Sequence, residues 1–294
     1  SSGGGGVILL TAGTYPISTT LNMKSNVVLR GVSKDEVIIE STVKGTDSNA
    51  YSIYFDGVSG AGIENITHFY RVDGCDIIDK ETLNNGDYDR QIYSNDPCGI
   101  TNIVVGAIGM SKTTSNSWVD NCNILESGSH AIRLRGNNCT VSRSYIDRSY
   151  NKGPGGRGYF DITGNYNLVV GNTVKRIRHL AIQLGARYNV VYNNLLWVDV
   201  NFHDDDAGEN LIEKNTITTP SWHGWDIIAT GAADYHRPPG VNNIIFNNTT
   251  NHRQTGESLY GIEGKIYTVL GFSKVEDTGK SAPSCITFFP MSAN

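Results

Sequence analysis

The sequence predicts a β-solenoid, an all-β fold in which short strands wind around one axis and each coil stacks on the previous one. Two observations carry this prediction. Short β-branched runs end in asparagines at Asn172, Asn194 and Asn215, which recur at intervals of 22 and 21 residues. Between them the sequence shows no helical stripe of apolar residues. A repeat of this length buries its apolar face only by stacking on its neighbours.

The recurring asparagines suit the corner between two strands. Asparagine tolerates the left-handed backbone region, and its side chain forms local hydrogen bonds. Stacked once per coil, these residues are expected to form an internal amide ladder. Asparagines in unrelated surface turns would not keep the period.

The composition fits one long domain covering residues 1–294. The hydrophobic fraction is 38%, which is ample for a core, and β folds often exceed the usual domain size. No apolar run reaches the roughly 18 residues that a membrane-spanning helix needs. We interpret the Ser- and Gly-rich start, residues 1–6, as a processed or trimmed terminus.

The coil period breaks between about residues 70 and 113, in a stretch rich in Asp, Asn and Gly. Such an insertion is expected to project from one face and to wall a groove. Asn85, Asp87 and Asp89 alternate like the oxygen ligands of a calcium loop, although a solvated turn is the simpler interpretation. No metal is required by the sequence, and Ca²⁺ is the one ion that it suggests. Residues 265–294 are predicted to form final strands and a cap.

The five cysteines do not form a complete disulfide framework, because at least one is left unpaired. Cys75 and Cys98 bracket the insertion and would close it in an extracytoplasmic protein. Cys122 and Cys139 lie in the repeat, where they are equally well explained as core residues.

A second row of strands precedes each asparagine. Alternation with period two places one set of side chains inside the solenoid: Ile132, Leu134, Phe160, Ile162, Ile182 and Leu184. It places Arg133, Asp161, Gln183 and Asp204 in a line on the outside, with Asp226 next if the register holds. His203 then faces inward, where a structural histidine is expected. The outward line could follow a linear polymer, although solvent alone also explains polar residues there.

Charge is unevenly distributed along the chain. The net charge is −5, yet residues 130–190 contain ten Lys or Arg against two acids. Residues 191–230 reverse this, with seven acids against Lys214. A basic region inside an acidic chain predicts a polyanionic partner. Nucleic acid fits poorly, because its readers are usually basic overall and rich in stacking aromatics; a uronic-acid polysaccharide fits better.

The first coils carry the motifs Gly13-Thr14-Tyr15 and Asn26-Val27-Val28-Leu29-Arg30-Gly31. This opening resembles pectate-lyase-like right-handed parallel β-helix proteins, many of which are lyases acting on uronans. The Asn-rich coils and the basic middle are most similar to alginate lyases of polysaccharide lyase families 6 and 31. The resemblance implies a right-handed parallel β-helix and β-elimination on an anionic polymer, for which we expect alginate. It also implies a secreted or periplasmic protein, which we expect to be a monomer.

β-Elimination needs a base for the C5 proton, a group that neutralises the neighbouring carboxylate, and a proton donor for the leaving oxygen. Such groups are densest in residues 152–188. The predicted catalytic residues are Lys152 as the base, Arg178 as a carboxylate binder, and Tyr159, His179 or Tyr188 as the proton donor. The predicted substrate-binding residues are Arg133, Arg135, Arg157, Gln183, Arg187, His203 and Asp204. Each also has a structural explanation, as a loop, turn or stacking residue.

Two alternatives remain open. A hydrolase of the polygalacturonase type would use Asp204, Asp205 and Asp226, because stacked strands can hold two carboxyl groups with room for water between them. A non-catalytic adhesin or tail-spike-like module would use the same basic surface only for binding.

Overall fold

The computed structural model describes residues 4–46, 49–72, 103–152, 156–218, 228–230, 236–250 and 268–275. Regular structure within these ranges consists of strands, which are mostly three to five residues long. In chain order they are β1 Gly6–Leu10, β2 Gly13–Ile17, β3 Leu21–Asn22, β4 Val27–Gly31, β5 Val37–Ser41, β6 Tyr51–Phe55, β7 Gly62–Glu64, β8 Thr67–Tyr70, β9 Gly106–Met110, β10 Trp118–Asp120, β11 Asn123–Ser127, β12 Ile132–Leu134, β13 Thr140–Ser142, β14 Tyr145–Ser149, β15 Tyr159–Ile162, β16 Leu168–Val170, β17 Thr173–Lys175, β18 His179–Gln183, β19 Val190–Tyr192, β20 Leu195–Trp197, β21 Val200–Asp204, β22 Leu211–Glu213, β23 Thr216–Ile217, β24 Ile228–Thr230, β25 Ile244–Thr250 and β26 Thr268–Val275.

Every third strand pairs in parallel with the same strand of the next coil, which gives three columns. The first sheet contains β1, β4, β7, β10, β13, β16, β19, β22 and β25. The second sheet contains β2, β5, β8, β11, β14, β17, β20 and β23, and the long β25 continues both sheets and pairs with β26. The third sheet contains β3, β6, β9, β12, β15, β18, β21 and β24. The predicted solenoid is therefore confirmed as a parallel β-helix.

Apolar side chains stack inside the helix in columns that run from coil to coil. In the first sheet the buried column runs through Val119, Val141, Val169, Val191, Ile212 and Ile245. In the third sheet Ile108, Ile132, Phe160, Leu180 and Val200 do the same. Burying each such side chain contributes about 1.5–3 kcal/mol relative to leaving it in water. The stacking fixes the register of every coil, because a one-residue slip would turn these side chains outward.

The predicted amide ladder is present. The side-chain oxygen of Asn194 accepts bonds from the backbone N–H and the side-chain amide of Asn172, at 2.8 and 3.0 Å. Asn194 donates in the same way to Asn215, and Asn215 donates to Asn248. A second ladder, made of Asn167, Asn189, Asn210 and Asn243, lies at the preceding corner.

The left-handed backbone conformation, predicted for the ladder asparagines, occurs one residue earlier. It belongs to the residue before each ladder asparagine: Gly171, Asn193 and Lys214 have φ values of 67°, 53° and 55°. The ladder residue itself must keep its backbone N–H directed at the next coil, and the turn that aims it is made by the residue before.

The predicted insertion is shorter than expected on its C-terminal side, because β9 at Gly106–Met110 is a regular strand of the third sheet. The proposed bridge between Cys75 and Cys98 and the loop of Asn85, Asp87 and Asp89 lie outside the described residues. Cys122 and Cys139 are free thiols buried in the core. Within the described ranges, no helix is long and apolar enough to cross a membrane.

Candidate active site on the third sheet

The outer face of the third sheet carries the polar line that alternation predicts. Arg133, on β12, donates from Nε to Oδ2 of Asp161 on β15 at 2.7 Å. Gln183, on β18, donates from Nε2 to Oδ1 of the same carboxylate, also at 2.7 Å. Asp161 is completely buried, so these two donors compensate a charge that would otherwise be costly there. Leu184, predicted inside, is 48% exposed, because the chain turns after Gln183 with φ of 54° at Leu184.

His203 faces outward, contrary to the prediction from alternation. β21 carries one extra residue: Ile182 lies opposite Phe202, but Gln183 lies opposite Asp204. This bulge lets both His203 and Asp204 leave the core, while Phe202 stays in it. Bulges of this kind re-aim side chains and are frequent beside active sites.

His203 lies in a cluster of aromatic rings. Its Nε2 lies 2.9 Å from the hydroxyl of Tyr159. The ring of His179 lies 5.2 Å from that of Tyr159 and 5.6 Å from that of His203, between centroids. His130 contacts Tyr159 from the preceding coil, and His236 lies edge-on to His203 at 4.3 Å. Tyr159, His179, His203 and His130 are buried, whereas His236 is half-buried.

Burial keeps two of these imidazoles uncharged at neutral pH. It lowers the pKa of His203 to about 4, and the neighbouring His179 and His236 add to this. It also lowers the pKa of His130 to about 4. Nδ1 of His203 is buried without a hydrogen-bond partner. A buried polar atom of this kind indicates a position at which a ligand can bind.

His179 is held by a buried carboxylate. Its Nδ1 lies 2.8 and 2.9 Å from the two oxygens of Asp199. Asn201, one position along the same face, donates from Nδ2 to Oδ2 of Asp199 at 2.9 Å. The side-chain oxygen of Asn201 is buried and has no partner.

Arg178 contacts the rings, and three further cations lie in the residues around them. The guanidinium of Arg178 lies 5.7 Å from the centroid of Tyr159 and donates from Nη1 to the backbone oxygen of Lys152 at 3.4 Å. The stem of Lys152 packs beside Gly158, directly before Tyr159. The charge of Arg157 acts on His130, and Arg133 lies on the preceding coil. Two buried carboxylates, those of Asp161 and Asp199, lie on the same face of the third sheet.

The structure thus brings together Lys152, Arg157, Arg178, His179, Tyr159, Arg133, Gln183 and His203 from the predicted set. Tyr188 and Arg187 lie elsewhere, at the corner that follows the third sheet. There Tyr188 is 39% exposed and stacks on Tyr166, with 4.9 Å between ring centroids. Arg187 covers Tyr188 and pairs with Glu209 at 2.9 Å. Arg135 lies beyond β12 and donates to Asn49.

The basic stretch of the sequence does not form one basic surface. Five of its ten cations pair with acids on neighbouring coils: Arg133 with Asp161, Arg143 with Asp120, Arg148 with Glu126, Arg176 with Asp147, and Arg187 with Glu209. Consecutive residues in a β-helix point around the whole circumference, so charge clustered in sequence is distributed over several faces.

Asp204 and Asp205, two of the three carboxylates named for the hydrolase alternative, pair with Arg237. Asp204 accepts the backbone N–H of Arg237 at 2.8 Å and its guanidinium at 3.2 Å, and Asp205 pairs with the same guanidinium at 2.6 Å. Asp226 lies outside the described residues. Among the residues that the structure covers, no group of three or more His, Cys, Asp or Glu side chains could hold a metal ion.

Sequence reasoning missed Asp199, Asn201, His130 and His236. For Asp199 and Asn201 a signal existed: Val198, Val200 and Phe202 alternate with them and are buried in the core. Alternation counted from these apolar residues places Asp199, Asn201 and His203 together on the outer face. The count used above started instead from Asp204 and ran backwards. His130 and His236 precede or follow strands, where alternation gives no information.

No protein-family model matches this sequence, and no curated protein is significantly similar to it. Solved structures are similar to it at low identity. An alginate lyase from Paenibacillus sp. str. FPU-7 has a TM-score of 0.58 at 12% identity, over 93% of this chain and 89% of that one. The cedar pollen allergen Jun a 1 has a TM-score of 0.49 at 11% identity, over 96% and 75%. The A-module of a mannuronan C-5 epimerase from Azotobacter vinelandii has a TM-score of 0.40 at 13% identity, over 92% and 87%.

At this level of identity, similarity to the alginate lyase concerns the fold, and it extends over nearly the full length of both chains. Together with the three parallel columns and their stacked core, it establishes the fold class. The chain is a right-handed parallel β-helix.

Proposed function

We propose that this protein is a polysaccharide lyase that cleaves a uronic-acid polymer, for which alginate is the first candidate, by β-elimination at the outer face of the third sheet. The observation that carries the proposal is the 2.9 Å contact between the Tyr159 hydroxyl and His203, inside a ring cluster that the guanidinium of Arg178 contacts. The alginate lyase with a similar fold is consistent with this substrate class.

The cations supply the first requirement of the reaction. The C5 proton of a uronate becomes acidic only when its carboxylate is neutralised, because the charge of the intermediate spreads onto that group. Arg178 is the best-placed donor for this task, since its guanidinium is half-buried and lies against the Tyr159 ring. Lys152 and Arg157 add positive charge nearby, whereas much of the charge of Arg133 is balanced by Asp161.

Tyr159 supplies the proton for the leaving oxygen. His203 is uncharged, and in the tautomer that carries hydrogen on Nε2 it donates to the Tyr159 oxygen. The phenolic hydrogen is then available to the substrate. The phenolate that remains is stabilised by the His203 N–H and by the charge of Arg178. General acid catalysis of this kind contributes roughly 10²–10⁴-fold in rate.

Access to the rings runs past two side chains. Among the described residues in contact with Tyr159 and His203, Arg178 and His236 are the half-buried ones. A substrate carboxylate that binds Arg178 would therefore bring its sugar ring to the edge of the cluster. Asn201 and His203 offer the unpaired acceptor and ring nitrogen there.

The test is a panel of alginate, polymannuronate, polyguluronate, polygalacturonate and glucuronan, followed by ultraviolet absorbance of the unsaturated uronate and by a reducing-end assay. Elimination produces a conjugated double bond and hydrolysis does not, so a rise in absorbance on one polymer supports the proposal and names its substrate. New reducing ends without absorbance would indicate a hydrolase, and neither signal would indicate a binding module. A parallel series with a chelator tests whether Ca²⁺ contributes.

A further inference from the structure

The pairing of neighbouring coils places Asp199 beside β18. Its backbone oxygen accepts the N–H of Leu180 at 3.1 Å, which places the residue directly beside the start of β18. Its carboxylate is completely buried and reaches Nδ1 of His179 with both oxygens, at 2.8 and 2.9 Å. His179 itself is only 1% exposed. The carboxylate therefore controls which of the two ring nitrogens carries the hydrogen.

Asn201 fixes the carboxylate in turn. Its amide group donates to Oδ2 of Asp199 at 2.9 Å. A carboxylate in its ionised form only accepts hydrogen bonds, and Nδ1 of His179 and the amide of Asn201 are the two donors beside Asp199. With Asp199 in this form, Nδ1 of His179 carries a hydrogen, and a neutral imidazole then has its lone pair on Nε2. Such a partner on the other nitrogen is what determines the tautomer of a histidine.

On the basis of the proposed function, we propose that His179 is the base that removes the C5 proton and that Asp199, held by Asn201, is its positioning residue. Lys152, the base expected from the sequence, then serves as a source of positive charge. The geometry favours His179 because its ring packs against those of both Tyr159 and His203, at 5.2 and 5.6 Å, while Asp199 engages Nδ1 rather than Nε2.

These groups supply and accept every proton that the reaction requires. The C5 proton passes to Nε2 of His179, and the electrons of the C5–H bond form the double bond between C4 and C5. The bond from C4 to the glycosidic oxygen breaks, and that oxygen takes the hydroxyl proton of Tyr159. An imidazolium and a phenolate remain on adjacent rings, and transfer of one proton from His179 to Tyr159 restores both. No oxidant, reductant or further reactant is required.

The test starts with a measurement that needs no substrate. In ¹⁵N NMR spectra of the imidazole nitrogens, with the signals of His179 assigned by comparison with H179Q, the wild-type protein is expected to show the hydrogen on Nδ1 and a lone pair on Nε2. In D199N the new amide can turn either its oxygen or its NH₂ group toward His179, so the preference is expected to disappear. A wild-type His179 with its hydrogen on Nε2 would overturn the proposal.

A double exchange provides the matched control. In D199N/N201D the same atoms and the same net charge are present, but the carboxylate now lies at position 201. That carboxylate accepts a hydrogen bond from the NH₂ group of the amide at position 199, which turns the oxygen of this amide back toward Nδ1 of His179. The Nδ1 hydrogen is therefore expected to return. A merely structural role of Asp199 would not produce loss in the single variant and recovery in the double one. D147N serves as the control for loss of a buried carboxylate on another face, where Asp147 pairs with Arg176.

Kinetics on the polymer cleaved by the wild type complete the test. D199N is expected to reduce kcat by roughly 10²-fold or more with little change in KM, and the double exchange to recover at least about tenfold. If the tautomer changes but kcat does not, His179 is not the base, although the lyase assignment stands. If the wild type eliminates none of the polymers, the proposed function fails, and the base assignment fails with it, whatever the spectra show.

Discussion

The Tyr159 hydroxyl and Nε2 of His203 lie 2.9 Å apart although their strands, β15 and β21, are not neighbours. β18 lies between them, and neighbouring strands are about 4.8 Å apart. The phenol of Tyr159 therefore extends past His179, its partner in the β-ladder, and contacts His203 one coil further on. The contact between Tyr159 and His203 thus joins two coils of the third sheet that are not neighbours.

Removing that hydroxyl is the most direct test of the site. Y159F is expected to reduce kcat by roughly 10²-fold or more while leaving the fold intact, because the ring still fills its place and only the proton donor is lost. Ultraviolet absorbance on the cleaved polymer gives the rate, and circular dichroism checks the fold. Y188F is the matched control, since Tyr188 stacks on Tyr166 at the outer corner. Equal losses in both variants would contradict the assignment of Tyr159.

Arg178 and Arg187 allow a similar comparison for carboxylate binding. R178A is expected to raise KM on the polymer at least about tenfold and to lower kcat, because Arg178 is the half-buried cation in contact with Tyr159. R187A removes a cation that pairs with Glu209 at the corner, so KM should stay within about twofold of the wild type. Initial rates over a range of polymer concentrations, measured at two salt concentrations, decide the matter. A larger effect of R187A would move the binding surface to the corner.

The amide ladder predicts a stability difference between adjacent asparagines. N194A removes a side chain that bonds Asn172, Asn215 and the backbone oxygens of Val169 and Tyr192, and it leaves buried groups without partners. The free energy of unfolding should fall by about 2–4 kcal/mol. N193G changes a residue at φ of 53°, where glycine is unstrained, and should cost less than about 1 kcal/mol. Urea unfolding measures both, and a smaller loss in N194A than in N193G would exclude a stabilising ladder.

His68 predicts an acid-sensitive core. It lies in register between Ile39 and Ile124 inside the helix, both ring nitrogens lack partners, and burial lowers its pKa from 6.5 to about 3. Below about pH 6.5 the unfolded chain binds a proton at His68, whereas the folded chain does not. Stability is therefore unaffected by His68 protonation above that pH, and it falls as the pH decreases toward 3. The loss amounts to about 1.4 kcal/mol for each pH unit.

The variant H68L replaces the imidazole by an apolar group of similar size. It is expected to raise stability at pH 7, because no unpaired polar group is then buried. It should also lose about 2 kcal/mol less stability than the wild type between pH 7 and pH 5. Urea unfolding at both pH values measures the difference. An unchanged pH dependence would mean that His68 is not held uncharged. His130 and His203, with pKa values lowered to about 4, contribute in the same direction in both proteins.

The features of the structure that repeat from coil to coil could be predicted from the sequence. The period of Asn172, Asn194 and Asn215 predicted the coils, and alternation predicted that Arg133, Asp161 and Gln183 share a face, because both patterns follow from local geometry that each coil imposes on the next. The corner was misjudged by one residue, since both Asn193 and Asn194 are asparagines and the backbone requirement and the ladder requirement fall on different ones.

The site was misjudged at β21, where the strand departs from the repeat. The extra residue breaks the alternation before Asp204, so a count backwards from Asp204 turned His203 to the wrong face. The basic stretch misled for a different reason: ion pairs such as Arg176 with Asp147 form between coils about one period apart, which a count along the chain does not detect. Tyr188 and Tyr159 look equivalent in sequence, and only their places around the circumference separate them.

The asparagine ladder also gives the molecule an electrical polarity. In every side-chain bond from Asn172 to Asn248 an amide N–H points toward the C-terminal end of the solenoid and the oxygen toward the N-terminal end, while the same NH₂ group also donates to a backbone oxygen of the preceding coil. The second ladder has the same direction in its bonds from Asn189 to Asn243. Aligned hydrogen-bonded amides polarise one another, so each coil strengthens the dipoles above and below it. The two columns thus form parallel rows of dipoles along the axis, and a coil inserted in either row would have to carry an amide with the same orientation to preserve them.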